Sequence, residues 1–179
     1  DDNGAWEAVL ENAYDIIVTG EINGEDTLTF KIPYKDAKRT HIDSEKKIQI
    51  VDDIYKVRTL TDTKDSEGNL ATEVYAEAEF YDLTFSVRKE EHKFDAETAE
   101  VSMAYALEGT EWSVGTVNVR TKRTWTSTEK NALSILRTVA DLHGGDLVFD
   151  SPNRLVHLLT VYGTDSGALF AYKKNMKSI

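Results

Sequence analysis

The chain of 179 residues contains no cysteine and only two prolines. Without cysteine, neither a disulfide framework nor a cysteine-based zinc site can form. No apolar run approaches the roughly 18 residues that a bilayer-spanning helix needs, so we expect no membrane insertion. The acidic start of the sequence lacks the apolar segment of a signal peptide. A chain of this length can bury a sizeable apolar core without covalent cross-links.

Basic residues are scarce relative to acidic ones. There are 21 lysines and arginines against 32 aspartates and glutamates, which gives a formal net charge of −11. Proteins that bind nucleic acids usually present a basic surface, and anionic membrane surfaces attract basic segments. We therefore expect neither nucleic-acid binding nor association with an anionic membrane.

The first half alternates apolar and polar residues in the way that is typical of half-buried strands. The Asn23-Gly24 pair tolerates positive φ, and it predicts a hairpin between strands at Ile16–Ile22 and Thr27–Ile32. The β-branched run at 16–18 predicts that the first of these strands is buried. Pro33 cannot donate to a strand ladder, so it ends the second strand.

Further strands are predicted at 47–51 and 54–61, joined by a tight turn at Asp52-Asp53. A polar loop or helical turn precedes them at 35–45, and a long strand follows at 70–85. One face of that long strand is apolar and is predicted to be buried; it carries Val74, Ala76, Ala78 and Phe80. Residues 1–87 are therefore predicted to form a small antiparallel β-barrel or sandwich subdomain.

The pattern changes at the charged segment 88–93, which we interpret as a linker. A helix of about residues 95–108 is predicted, capped by Asp95 and ended by Gly109. After a strand at 111–119, the capping box of Thr126 and Glu129 predicts a second helix of about residues 127–143. This helix carries a wide apolar stripe that must pack against a sheet, formed by Ala132, Leu133, Ile135, Leu136, Val139 and Ala140.

The end of the chain is predicted to return to strands. His143-Gly144 closes the second helix, a hairpin pairs 146–149 with 154–160, and a last strand is predicted at 168–173. Residues 88–179 thus form a predicted α+β subdomain with two helices, which we expect to continue beyond the chain end. The fold class that follows is α+β and mainly β.

Each group of residues that could carry chemistry also has a purely structural interpretation. Glu90-Glu91-His92 is a tight cluster, but a metal site needs three or four converging ligands, so a solvated linker is the better interpretation. His143 lies where a cation complements the end of a helix, and His157 lies on a strand. Either could act as a base, yet the sequence has no G-x-S-x-G motif to place a nucleophilic serine. We therefore assign no catalytic, metal-binding or cofactor-binding residue and expect no cofactor.

Carboxylates and aromatic residues leave two further possibilities open. A pair of carboxylates about 5 to 9 Å apart across a cleft would suit glycoside hydrolysis, and a sequence cannot show such a distance. Aromatic side chains could line a sugar-binding or partner-binding surface, although core packing is their commoner use. The aromatic residues in question are Trp6, Trp112, Trp125, Tyr75 and Tyr81.

Motifs spread over nearly the whole chain resemble, in the same order, those of the N-terminal hub region of phage and prophage tail-tip proteins. These proteins are called the prophage tail endopeptidase or phage minor structural protein family. Each motif alone is weak, and the ordered set is more specific. The matching segments are Asn12-Ala13, Glu21–Glu25, Thr27–Pro33 with Asp36, Ile48–Val57, Phe80–Leu83, Gly109–Val114, Asn131–Ala140 and Gly144–Asp150.

The resemblance implies a structural role at the virion tail tip, in a protein made in the bacterial host cytoplasm. Proteins of this family are similar to the baseplate hub of contractile-tailed phages, a trimeric ring of β-barrel subdomains that closes the tail tube. The implied partners are further copies in a homotrimer, the distal tail protein and tail tube, and a downstream fibre or lysin segment. The resemblance places peptidase or lysin activity in segments outside this chain, so we expect no enzymatic activity from it.

Two other functions stay open from the residues alone. The first is a cell-wall-degrading hydrolase domain, which a concave site with a carboxylate of raised pKa would support. The second is a carbohydrate-binding β module, which exposed and coplanar tryptophan and tyrosine side chains would support.

Overall fold

The computed structural model describes residues 6–64 and 68–163. It has the predicted mainly-β α+β class, with a curled antiparallel sheet followed by a mixed region that contains both α-helices. The strand predicted at 168–173 lies outside the described residues.

The first half of the chain forms one five-stranded antiparallel sheet, curled into a half-barrel. The order across the sheet is β1-β2-β5-β4-β3, so β1 and β3 are its two edges and the barrel stays open between them. The strands are β1 (Tyr14–Gly20), β2 (Asp26–Pro33), β3 (Lys47–Ile50), β4 (Asp53–Lys64) and β5 (Leu70–Ala78).

Both predicted hairpins are present in this sheet. β1 and β2 pair from Tyr14↔Lys31 to Gly20↔Asp26, and the turn between them contains Asn23 at a φ of 59°. β3 and β4 are joined by the two residues Val51 and Asp52, one position earlier than predicted. The polar segment before β3 contains the expected helical turn, a 3-10 helix at Ala37–His41.

The prediction that β1 is buried is wrong. All of its residues are exposed, because β1 lies at the edge of the sheet and pairs only with β2 among the described strands. The buried residues next to it come from β2, where Leu28, Phe30 and Ile32 are at most 3% exposed. A β-branched run favours a strand wherever it lies, so it cannot by itself distinguish a core strand from an edge strand.

The strand predicted at 70–85 ends earlier, at Ala78. A 3-10 helix follows at Glu79–Phe85, and it buries Phe80 and Leu83, whose spacing of three residues puts them on one face. The predicted apolar face of β5 is confirmed, since Val74, Ala76 and Ala78 are buried. This 3-10 helix turns the chain out of the first sheet and into the second half of the molecule.

The second half contains three small sheets and both α-helices. A three-stranded sheet has the order β11-β12-β8, in which β8 is parallel to β12, and the pairs β7-β9 and β6-β10 complete the set. The elements are β6 (Val87–Arg88), β7 (His92–Thr98), α1 (Ala99–Leu107), β8 (Ser113–Val117), β9 (Lys122–Ser127), β10 (Lys130–Asn131), α2 (Ala132–His143), β11 (Asp146–Asp150) and β12 (Leu155–Leu159).

Both helices begin later than predicted. Residues before α1 extend into β7 and pair with β9, so the cap is Thr98, whose hydroxyl accepts from the Val101 N–H, and not Asp95. The segment interpreted as a charged linker therefore includes the start of β7. Likewise α2 is capped by Asn131, whose side chain accepts from the Ser134 N–H, because Thr126 belongs to β9.

The predicted apolar stripe of α2 is confirmed, and all six of its residues are buried. It packs against α1, the 79–85 helix, β9 and β11. One continuous core results, which runs from the five-stranded sheet through the helices to the three-stranded sheet. Within the described part of the chain, no helix is long and apolar enough to cross a membrane.

Candidate functional site

In the cluster Glu90-Glu91-His92, the histidine packs against aromatic side chains. The ring of His92 stacks on Tyr105, with ring centroids 4.2 Å apart, and meets Phe94 edge-on. Among residues 6–64 and 68–163, no group of three or more histidine, aspartate or glutamate side chains is arranged to hold a metal ion.

The two histidines considered as bases have structural partners. The Nδ1 of His143 lies 3.1 Å from both the hydroxyl and the carbonyl oxygen of Thr121. Burial lowers the pKa of His143, which favours a neutral ring over the cation expected at the helix end. The Nδ1 of His157 accepts from the Thr116 N–H at 2.8 Å, and a side chain at Gly115 would lie 2.6 Å from this ring.

The β1–β2 turn is anchored to the second half of the molecule by the side chain of Asn23. Its amide nitrogen donates to the carbonyl of Gly145 at 3.1 Å, and its oxygen accepts from the Leu147 N–H at 2.6 Å. Arg137 of α2 donates to the carbonyl of Gly24 at 2.6 Å in the same turn. The side chain of Asn23 thus bonds the backbone on both sides of Asp146, and the turn links the two halves of the molecule.

This docked turn forms one wall of a cleft of about 330 Å³ between the two halves. Asp26, Asp53 and Arg137 are among the charged residues that line the cleft. Burial raises the pKa of Asp26, and the Tyr55 hydroxyl donates to this carboxylate at 2.9 Å. Burial and then the hydrogen bond to Asp26 raise the pKa of Tyr55, and the Asp26–Tyr55 contact links the start of β2 to β4.

A buried carboxylate makes a second link between the halves. Glu79 is fully buried, and its carboxylate forms ion pairs with Lys47 of β3 and with Arg154 of the β11–β12 turn. The nitrogen–oxygen distance is 2.7 Å in both pairs. Beside it, Phe80 stacks on Phe149 with ring centroids 4.0 Å apart. These contacts join three separate parts of the chain around one charge.

The aromatic residues do not form a common flat surface. Trp112 is buried in the core, and Trp125 stacks on Phe94 at a centroid distance of 4.5 Å. Trp6 is exposed, while Tyr75 and Tyr81 are partly buried. Packing therefore accounts for most of the residues that could have lined a sugar-binding platform.

The strand β1 exposes several apolar side chains. Ile16, Ile17 and Val18 are exposed over about half of their surface, at 53%, 59% and 49%, and the neighbouring Tyr14 and Ile22 are exposed as well. Exposed apolar side chains grouped along one edge strand make a candidate contact surface. We define these five residues as the β1 apolar edge.

Sequence reasoning missed both the Asn23 anchor and the β1 apolar edge. The Asn23-Gly24 pair predicts the turn, but the two partners of the Asn23 side chain lie more than 120 residues away along the chain. The exposure of β1 depends on strand order, which local patterns do not contain.

Two family models match the chain in succession. The prophage endopeptidase tail N-terminal domain matches residues 1–78, and the prophage endopeptidase tail domain matches residues 86–158. No curated protein sequence matches the chain.

Solved structures of tail proteins share this fold. The prophage tail protein gp18 from Listeria monocytogenes EGD-e superposes over 95% of the chain with a TM-score of 0.77 at 16% identity. The 43 kDa tail protein of prophage MuSo2 from Shewanella oneidensis covers 86% with a TM-score of 0.53 at 13% identity. The tail protein from Neisseria meningitidis MC58 covers 84% with a TM-score of 0.54 at 11% identity. The chain spans about half the length of each, matching 52%, 52% and 48% of them.

Proposed function

Because the chain belongs to the prophage endopeptidase tail family, we propose that it is a structural subunit of a phage tail tip. The observation that carries the proposal is that the similarity to tail proteins extends along nearly the whole chain. Both tail-domain models follow one another in order, and the fold of a prophage tail protein extends over 95% of the chain. Its place of action is then the virion tail.

The finer role that we propose is a ring of identical subunits, a homotrimer, that closes the tail tube. The distal tail protein and tube would dock on one side of the ring, and a fibre or lysin segment would extend from the other. Two features support this role. The half-barrel is open at both edges, and the contacts of Asn23 and Glu79 link it to the second half of the molecule.

We propose that this part of the protein has no peptidase activity of its own, although the family description contains the word endopeptidase. Asp26, Glu79, His143 and His157 each hold other parts of the fold through contacts given above. Any hydrolytic activity would then belong to other segments of the natural protein. The division into subdomains at 1–87 and 88–179 likewise stays a proposal.

The two alternative functions gain little from the structure. For a wall-degrading hydrolase, the cleft has one carboxylate of raised pKa, Asp26, and that carboxylate is engaged by Tyr55. For a carbohydrate-binding module, the aromatic side chains are mostly packed or stacked. We therefore retain the tail subunit as the single proposal.

The mass of the protein in solution tests the ring. We expect light scattering at several protein concentrations to show a trimer, both for residues 1–179 and for a version extended at both ends. A monomer at every concentration in both versions would contradict the ring.

A further inference from the structure

The strand β11 lies at an open edge of its sheet, beside the cleft between the two halves. Among the described strands it pairs only with β12, and Leu147, Val148 and Phe149 line the cleft. The Leu147 N–H points away from β12, since the side chain of Asn23 accepts from it. Backbone groups on one side of an antiparallel strand recur at every second residue, so the Leu147 C=O and both backbone groups of Phe149 face the same way. A row of open backbone groups of this kind accepts a further strand.

The cleft beside this edge combines apolar walls with an excess of negative charge. Its apolar walls include Phe80 and Phe149. Its charged residues are three carboxylates and one guanidinium: Glu21, Asp26, Asp53 and Arg137. Repulsion from Asp53 adds to burial in raising the pKa of Asp26, and no cation of the described residues offsets it. The cleft is therefore suited to a segment with apolar side chains and positive charge.

The next segment of this same chain has that chemistry. Residues 164–179 lie outside the described part and read TDSGALFAYKKNMKSI. They contain an apolar stretch at 168–172 and three lysines against one aspartate. The strand predicted from the sequence at 168–173 coincides with this apolar stretch and ends at the first of the lysines.

The chain also arrives at the cleft just before this segment. Tyr162 lines the cleft, and its N–H donates at 2.7 Å to the side chain of Asp146, the first residue of β11. The five residues 163–167 can span about 16 Å when extended, more than three times the ~4.8 Å between neighbouring strands. A segment that starts beside Asp146 and follows the edge toward Phe149 runs parallel to β11.

We propose that residues 168–173, which we call the strap, add to the free edge of β11 as a parallel strand and fill the cleft. The cleft of about 330 Å³ is at the small end of the range for binding sites, roughly 300 to 1,000 Å³. It therefore takes side chains of the strap, while the backbone of the strap lies along β11. The strap closes the junction that Asn23 and Glu79 also link. This inference concerns a single subunit and is independent of the proposed ring.

Cysteine pairs test the strap in the whole chain, which has no cysteine of its own. Val148→Cys lies on the face of β11 opposite to Leu147, and it is combined with one strap position at a time. Paired strands place every second residue on one face, so we expect intramolecular disulfides at alternate positions only. The second substitutions are Ala168→Cys, Leu169→Cys, Phe170→Cys, Ala171→Cys and Tyr172→Cys.

The matched control combines Ser113→Cys with the same five substitutions. Ser113 is exposed on β8, the opposite edge of the same sheet, three strand spacings of about 4.8 Å from the proposed strap and too far for a disulfide. We expect the alternate Val148 pairs to oxidise at least about 10-fold faster than the control pairs, because the short connection holds docked thiols at a high effective concentration.

Two results of this scan would overturn the proposal. The first is oxidation at equal rates with Val148→Cys and Ser113→Cys, or without alternation along the strap. The second is a disulfide that joins two copies on a non-reducing gel, because the segment would then bind a neighbouring copy and not its own cleft.

Charge reversal gives a second readout. Lys173→Glu combined with Lys174→Glu places negative charge beside the acidic cleft, and we expect cross-linking to Val148→Cys to slow by about 10-fold, the combined effect of two partly exposed ion pairs. The control, Lys89→Glu with Lys93→Glu, changes the net charge equally at exposed positions elsewhere. Equal rates in the two double variants would overturn the proposal, since the cleft would not select the strap by its charge.

Discussion

Val51 occupies the first position of the two-residue turn between β3 and β4, with a φ of 56°. Hairpin turns that need a positive φ at this position favour glycine, because a Cβ clashes with the backbone there. We predict that Val51→Gly raises the free energy of unfolding by about 1 kcal/mol, as relief of strain exceeds the entropy cost of glycine. Denaturant titration under conditions where the protein is monomeric measures this value, and a destabilised variant would show that Val51 is not strained.

Asp26 gives a prediction with a defined dependence on pH. Burial raises its pKa, so the ionised carboxylate is less stable in the folded chain than in the unfolded one. This cost is present at neutral pH and disappears as the pH falls through the raised pKa. Asp26→Asn keeps an acceptor for the Tyr55 hydroxyl without the charge. We expect it to stabilise the fold at pH 7 and to have no effect near pH 3.

The comparison for Asp26→Asn is Asp52→Asn, which removes an exposed carboxylate from the β3–β4 turn. Thermal unfolding of both variants and of the unchanged chain, followed between pH 3 and pH 7, gives the difference at each pH. If Asp26→Asn destabilises the fold at pH 7, the charge of Asp26 is needed and its burial is not the controlling effect.

At the scale of single elements, the β1–β2 turn anchors one half of the molecule to the other. Asn23→Gly keeps the positive φ but removes both hydrogen bonds to β11, so we expect a loss of about 2 kcal/mol in the free energy of unfolding. Asn23→Asp retains an acceptor for the Leu147 N–H and should lose less. Asn153→Ala, in an exposed turn where the side chain bonds only Asp150, is the control. Equal losses for Asn23→Gly and the control would mean that the anchor contributes nothing.

The elements also show which features the sequence predicts. Hairpins and the α2 stripe are predicted correctly, because turn chemistry and helical periodicity are local signals that the core does not override. The caps at Asp95 and Thr126 are wrong because Asp95 lies within β7 and Thr126 within β9, and the long-range pairing of these two strands takes precedence over capping propensity. The sequence of β9 does not alternate strongly between apolar and polar residues. Its pairing with β7, and not its own sequence pattern, therefore makes it a strand.

Sequence patterns do not predict the exposure of β1 or the anchor at Asn23, for another reason. Both depend on which strands and segments become neighbours, and that is decided by the whole fold. The family resemblance supplies a function where the residues alone indicate only a mainly-β fold, and the two family models agree with it.

At the scale of the whole molecule, Glu79 ties β3 and the β11–β12 turn to the 79–85 helix. Without Arg154, the buried carboxylate of Glu79 keeps its contact with Lys47 and loses its contact with the guanidinium, so its charge is only partly compensated. We predict that Arg154→Met lowers the free energy of unfolding by about 2 kcal/mol, and that adding Glu79→Gln restores part of the loss. Urea unfolding of both single variants and the double variant measures the coupling. Strictly additive losses would mean that the two residues act independently.

The proposal that the chain is a tail subunit is tested most directly by its location in the virion. Particles released by the phage or prophage that encodes it can be labelled with gold-conjugated antibodies against residues 1–179 and imaged by electron microscopy. We predict that gold lies at the end of the tail farthest from the head on intact particles. Intact particles without label, or with label on the head, would contradict the proposal.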